Sequence, residues 1–197
     1  KDITAVADVK CSKILFDTLK SKGINILMSK TGHSLIKEMI NIENADIAGE
    51  MSGHIFYKYQ YYGYDDAIFA SLKIVNLLNQ SDLKLSEITK PYLKSSSTPE
   101  IKLHCAEKDK FQILSNLIDK IRVTYINQVE IIDIDGVRVE SKDFWFLIRA
   151  SNTQNCLVFR LEHFDSTNFK IEINKLIELL QNYKLDISEL TGFNNTI

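Results

Sequence analysis

The opening stretch restricts the fold more than any other. Residues 3–9 are apolar at nearly every position, as in a strand buried on both faces. Asp8-Val9-Lys10-Cys11-Ser12 follows, then an amphipathic stretch with Ile14, Leu15, Phe16 and Leu19 directed inward and Gly23 at its end. Ser12 suits the N-cap of that helix, and Gly23 suits its left-handed close. Residues 24–28 form a second short apolar run. Strand, helix and strand in this order make a βαβ unit with parallel strands and a right-handed crossover. The chain starts abruptly in a buried strand, so a segment is expected before Lys1.

The second strand runs into Lys30-Thr31-Gly32-His33-Ser34. Ser34 is placed to cap a helix whose inner stripe is Leu35, Ile36, Met39 and Ile40. A helix N-terminus presents free N–H groups, so Lys30 and His33 there favour an anionic or hydroxylic ligand. Residues 45–48 form a third strand, which delivers Gly49-Glu50-Met51-Ser52-Gly53-His54. Glu50 can accept two hydrogen bonds, Ser52 can donate or accept, and His54 can move a proton near neutral pH. That set suits the vicinal hydroxyls of a sugar; a polar turn capping its own backbone would use the same residues. If the strands are parallel, Lys10, Lys30, His33, Glu50, Ser52 and His54 share one sheet edge, where open α/β sheets bind ligands.

Residues 55–62 are rich in aromatics and are expected to be extended. Gly63-Tyr64-Asp65-Asp66 leads into a helix with Ile68, Leu72, Val75 and Leu78 expected toward the core. The paired aspartates read as helix caps rather than metal ligands. Residues 81–98 read as a short helix and an exposed linker, placing a boundary near Tyr92 between domains 1–91 and 92–197.

In the second half, residues 101–105 alternate as a strand, and 108–123 form a helix with Phe111, Leu114, Ile118 and Ile121 on one side. Residues 129–134 and 137–139 flank a hairpin turn at Asp135-Gly136. Residues 144–148, with the chain's single Trp, read as a central strand. Arg149-Ala150-Ser151-Asn152-Thr153 then offers a guanidinium fork, hydroxyls, an amide and backbone N–H groups that could surround a phosphate. A polar hairpin loop with an incidental Arg would read the same way. Residues 156–161 return as a strand, and 169–183 form a helix with Ile173, Leu176, Ile177 and Leu180 inward. Residues after 186 are weakly patterned and expected to fray. The fold class is therefore α/β: a truncated three-layer α/β/α domain on a mixed or parallel sheet, then a small α+β domain. The latter has the order β-α-β-β-β-α, with its helices on one face of an antiparallel sheet.

At 45% hydrophobic and 25% charged, with a net charge of −2, the composition points away from disorder and gives no broad attraction to nucleic acid or membrane. No apolar run approaches a membrane span, and the first residues lack the layout of a signal peptide. Cys11, Cys105 and Cys156 are odd in number and widely spaced, the usage of reduced cytosolic thiols rather than of a zinc site. A cytoplasmic location without metal in this chain is the expectation.

The ordered motifs resemble the C-terminal part of an α-D-phosphohexomutase, the phosphoglucomutase/phosphomannomutase family. They are Asp8-Val9-Lys10-Cys11-Ser12, Lys30-Thr31-Gly32-His33-Ser34, Gly49-Glu50-Met51-Ser52-Gly53-His54, Gly63-Tyr64-Asp65-Asp66, Asp135-Gly136-Val137 and Arg149-Ala150-Ser151-Asn152-Thr153. The resemblance implies most of the third and all of the fourth of four domains. It implies an isomerase that moves phosphate between C1 and C6 of a hexose through a bisphosphorylated sugar. On it, Glu50 and Ser52 bind sugar hydroxyls, and Arg149, Ser151, Asn152 and Thr153 grip the phosphate that is not reacting. Lys10 and His33 line the site; His54, with Lys10, is the catalytic candidate. Met51 tilts the substrate toward mannose or glucose 1- and 6-phosphates.

The family's phosphoserine and magnesium-binding loop lie in its first and second domains, and neither is in this sequence. The opening strand and helix of the third domain are also expected to be absent. Gln154-Asn155 stands where Glu-Pro is usual, and Ala67 and Phe144 stand where Gly is frequent. Magnesium is thus expected only in the full-length enzyme, with the missing N-terminal half as a partner. Without metal or phosphorylated nucleophile a phosphoryl transfer loses its main charge stabilisation, so the chain alone is expected to be inactive. The alternative is a non-catalytic sugar-phosphate binding module or a decayed remnant.

Overall fold

Two parallel strand pairings organise the N-terminal half. The computed structural model describes residues 2–125 and 129–197, and its contacts divide the chain into units 1–94 and 95–197. In the first unit, β1 (Thr4–Asp8) is followed by α1 (Lys13–Ser21), β2 (Asn25–Ser29), α2 (His33–Ile42), β3 (Ile47–Gly49) and β4 (Ile55–Tyr57). The sheet order is β2-β1-β3-β4. β1 runs parallel to β2 and β3, and β4 is antiparallel to β3, so the sheet is mixed.

Side chains alternate across β1, and each face meets its own layer. Val6 packs with Ile36, Ile40, Ala48 and Phe56, whereas Ala5 and Ala7 pack with Phe16 and Ile26. That makes three layers, α1 on one face of the sheet and α2 on the other. Ser12 caps α1, its Oγ accepting from the Ile14 N–H at 3.1 Å. Gly23 closes the turn at φ +73°.

The structure corrects four readings here. Gly32, at φ +139°, rather than Ser34 precedes α2, which begins at His33. Leu15 and Leu35 are exposed, because residues four apart, Ile36 and Ile40, already fill the narrow inner stripe of α2, and α1 buries Phe16 alone. The aromatic run is not one strand. β4 ends at Tyr57, and turns at Gln60 (φ +60°) and Gly63 (φ +80°) bring the chain back, so that Asp65 bridges to Phe56.

The fourth correction concerns α3 (Ala67–Asn79). Ile68, Leu72 and Val75 are 77, 62 and 52% exposed and face no core, while Ala70 is buried. The helix is anchored by Phe69 instead, whose ring stacks on Tyr61 at 3.8 Å. A helix apolar on most sides has no single periodic stripe to reveal its buried side. Asp66 does cap it, accepting from the Phe69 N–H at 2.8 Å. α4 (Leu85–Thr89) and a 3-10 turn at Lys90–Tyr92 complete the unit.

The second unit holds β5 (Ser96–Ser97), β6 (Ile101–His104), α5 (Lys110–Thr124), β7 (Glu130–Ile132), β8 (Val137–Glu140), β9 (Phe144–Ala150), β10 (Cys156–His163), α6 (Ser166–Leu180) and α7 (Ser188–Thr196). Its antiparallel sheet has the order β5-β10-β9-β8-β7, with β6 also on β10. Ile101, Leu103, Val139, Phe146, Ile148, Leu157, Phe159 and Leu161 form one face, covered by Leu117, Ile121, Ile173, Leu176 and Leu180 from α5 and α6. Each such burial contributes about 1.5–3 kcal/mol. On the opposite face Trp145 is also fully buried, under the Arg138 guanidinium at 3.9 Å and bonded through Nε1 to Glu162 at 2.6 Å.

Three readings fail in this unit. Four strands, β7 to β10, rather than three lie between α5 and α6, because the turn at Asp135-Gly136 joins two separate strands. Phe111 is 69% exposed, because Ile113, Leu114, Leu117 and Ile121 occupy the inner side of α5. The C-terminal residues do not fray into coil: α7 buries Leu190, and Glu189 accepts from the Lys102 N–H at 3.1 Å. No helix among the described residues is long and apolar enough to cross a membrane.

Candidate functional site

The loops after β1, β2 and β3 lie on one edge of the first sheet, as the parallel pairing requires. Asp8, fully buried at the end of β1, holds this edge together. Its Oδ1 accepts from Cys11 Sγ at 3.1 Å and from the Met51 N–H at 3.2 Å. Its Oδ2 lies 3.9 Å from the Nζ of Lys10, which is 8% exposed. Lys10 is thus a buried, paired cation rather than a freely swinging one.

The loop from Glu50 to His54 is a hairpin turn between β3 and β4. The Glu50 N–H donates to the His54 carbonyl, and the Gly53 N–H to that of Glu50, both at 2.9 Å. Gly53 sits at φ +95°, which a side chain rarely tolerates. Ser52 Oγ donates to Glu50 Oε2 at 3.2 Å, while the buried Oε1 has no hydrogen-bond partner among the described residues. A carboxylate with one oxygen fixed and one uncommitted is suited to accept from a ligand hydroxyl.

Beside that loop, Asp65 Oδ2 lies 2.7 Å from His54 Nδ1 and 3.3 Å from His33 Nε2. Asp65 Oδ1 accepts from the Ile55 N–H at 3.2 Å. Burial pushes the Asp65 carboxyl up, but the bonds from His54 and His33 outweigh it and leave the group below the usual carboxylate range. The His33 ring is edge-on to His54 at 5.4 Å and to buried Phe56 at 4.8 Å. Asp66 alone takes the capping role that the sequence suggested for both aspartates.

In the second unit Arg149 is 5% exposed. Its Nε donates to Asp135 Oδ2 at 2.9 Å, while the buried Nη2 has no hydrogen-bond partner among the described residues. Ser151 Oγ accepts from the N–H groups of Thr153 and Gln154 at 3.3 and 3.1 Å, which curls the loop, and Asn152 and Thr153 are exposed. Lys110, buried at the start of α5, donates to the carbonyls of Ser151 at 2.9 Å and Gln154 at 3.2 Å.

Lys10, His33, Glu50, Ser52 and His54 thus gather in the first unit, and Arg149, Ser151, Asn152 and Thr153 in the second. Sequence reasoning missed the residues that hold them: Asp8, Asp65, Lys110 and Asp135. One signal was available. An aspartate ending a wholly apolar strand has no reason to be there unless it bonds to something.

The family model for phosphoglucomutase/phosphomannomutase, alpha/beta/alpha domain III, matches residues 1–95, and that for the C-terminal domain of the same enzymes matches residues 100–170. The chain belongs to the phosphoglucomutase/phosphomannomutase family. A phosphomannomutase/phosphoglucomutase of Pseudomonas putida is 38% identical over 157 residues, covering 80% of this chain and 33% of that protein. A phosphoglucomutase of Neisseria meningitidis is 40% identical over 158 residues, covering 80% of this chain and 34% of its own length. The crystal structure of a phosphoglucomutase/phosphomannomutase family protein from Burkholderia thailandensis superposes with a TM-score of 0.81 at 30% identity, covering 92% of this chain and 38% of that one. The chain spans about a third of the length of the curated relatives it matches.

Magnesium takes hard oxygen ligands in near-octahedral array. The His33, His54 and Asp65 group of the described residues offers two ring nitrogens and one carboxylate. This set does not fit magnesium. An apolar groove lined by Ile3, Asp46, Ile47, Tyr57 and Tyr59 lies at the other end of the strands, and its walls suit no sugar phosphate.

Proposed function

We propose that this chain supplies the sugar-hydroxyl and phosphate contacts of a phosphohexomutase that interconverts hexose 1-phosphate and hexose 6-phosphate. Residues 1–91 recognise the sugar and residues 92–197 the phosphate. Glu50 and Ser52 take hydroxyls, His33 and Lys10 line the edge, and His54 moves the proton at the reacting oxygen. Arg149, with Ser151, Asn152 and Thr153, holds the phosphate that is not reacting. Mannose and glucose phosphates are the substrates, in the cytoplasm, and the phosphoserine and magnesium loop come from an N-terminal half.

The observation that carries this reading is the state of Arg149. A guanidinium almost wholly buried, fixed through one nitrogen and left with an unpartnered Nη2, is a costly arrangement unless an anion completes it. The residues beside it are the hydroxyl and amide donors a phosphate accepts from. Without phosphoserine or metal, the chain by itself binds and does not turn over.

Isothermal titration with glucose 1-phosphate and with mannose 1-phosphate tests this. Saturable binding is expected, lost in Arg149→Ala and weakened about tenfold in Glu50→Ala, the worth of one hydrogen bond to a charged group. Heat identical to buffer for both sugar phosphates, or affinity unmoved by Arg149→Ala, overturns the proposal. A coupled assay with glucose 1-phosphate and its 1,6-bisphosphate should show no turnover, and turnover by the purified chain would refute that part alone.

A further inference from the structure

We propose that His33, His54 and Asp65 form a binding site for one borderline divalent ion, zinc in particular. The donor atoms of the three side chains lie within 4.8 Å of one another. His33 Nε2 is 3.3 Å from Asp65 Oδ2, and His54 Nδ1 is 2.7 Å from that same oxygen. Ligands on a tetrahedral zinc, with bonds of about 2.0–2.1 Å, stand roughly 3.3 Å apart. The His33–Asp65 spacing already meets this, and a small swing of the His54 ring meets the rest. His54 is free to make it, its side chain being 48% exposed.

The scaffold fixes the other two ligands. His33 is the first residue of α2, its ring resting on fully buried Phe56. Asp65 is oriented by the Ile55 N–H on its Oδ1, which leaves Oδ2 turned to both imidazoles. A carboxylate held from behind by a hydrogen bond is how coordinating oxygens are commonly aimed. Two imidazoles and one carboxylate with an open fourth position form the donor set of three-ligand zinc sites, and ring nitrogens favour zinc, cobalt or nickel over magnesium or calcium. Cysteine spacing, which argued against zinc in the sequence, says nothing about three residues that meet only through the sheet.

An ion here ties up both imidazoles of the polar edge, so on the functional reading above zinc and sugar phosphate exclude each other. The binding itself does not rest on that reading. Its test contains no sugar, so failure of either leaves the other standing.

Titration of the chain with zinc chloride in a non-chelating buffer, with cobalt as the spectroscopic probe, decides the matter. One ion per chain is expected, with visible cobalt bands of a low-coordinate N/O site, and excess magnesium should not displace it. His33→Ala, His54→Ala and Asp65→Asn should each lose the site, while His104→Ala and Cys105→Ser keep it. Both histidines are roughly half exposed, so their variants keep the test decisive even if Asp65→Asn fails to fold. No binding, binding that survives His33→Ala and His54→Ala together, or binding lost in Cys105→Ser would each overturn the site.

Discussion

Gly136 rests against the backbone of Arg149: a Cβ placed on it would lie 2.6 Å from the Arg149 Cα. It would also run into the Ile148 carbonyl, and Gly136 sits at φ +79°. The turn between β7 and β8 therefore packs directly beneath the residue proposed to hold phosphate. Gly136→Ala should cost about 2–4 kcal/mol, strain and backbone clash together, read as an earlier urea midpoint with unchanged slope.

Asp135, in that same turn, is the only acid bonded to Arg149 among the described hydrogen bonds. Removing one partner of a buried pair strands the other charge, so Asp135→Ala should cost about 3–5 kcal/mol by chemical denaturation. Asp135→Asn, which keeps an acceptor for Nε, should cost less. Equal losses in both variants would mean that the charge, absent from both, is what matters there and the acceptor is not.

The two helix faces separate burial from mere apolarity. Ile36 is fully buried, so Ile36→Ala should cost about 2–5 kcal/mol. Leu72 is 62% exposed, so Leu72→Lys should change stability by no more than about 0.5 kcal/mol. Thermal or urea unfolding of the two variants side by side checks the outward orientation of α3.

Tyr61 donates to Asp66 Oδ2 at 2.6 Å. That hydrogen bond first, then burial and the Asp66 charge, push its hydroxyl up to about 12. The folded chain thus keeps a proton that the unfolded chain loses near 10, and stability should fall as pH rises from there toward about 12. An alkaline absorbance titration should show Tyr61 ionising late, beside Tyr125 and Tyr183, whose hydroxyls burial also pushes up, and Tyr61→Phe should remove one late step and its share of the slope.

Lys110 donates to two carbonyls of the Arg149 loop from the first turn of α5. Lys110→Met keeps the length of the side chain but strands those acceptors. A loss of about 1–3 kcal/mol is expected, with the amides of Ser151 and Thr153 exchanging faster with deuterium.

Legibility in the sequence tracked the range of the interaction concerned. Ser12 and Gly23 bound α1 as read, because capping acts over two to four residues. The stripe Ile173, Leu176, Ile177 and Leu180 packs inward as read, because its far side is polar. Leu15, Leu35 and Phe111 share the same periodicity and are exposed, since an apolar residue at the margin of a stripe can fall on either side of it.

Sequence alone determined most of the strands and helices and the polar loops that close three strands, all of it written in neighbouring residues. Tertiary structure decided which apolar surface of α3 is covered and what holds each site residue in place. The contacts concerned join Asp8 to Met51 across 43 positions, His33 to Asp65 across 32 and Lys110 to Ser151 across 41. Bonds of that span exist only once strand pairing has brought the turns together, so no local pattern of residue types can announce them.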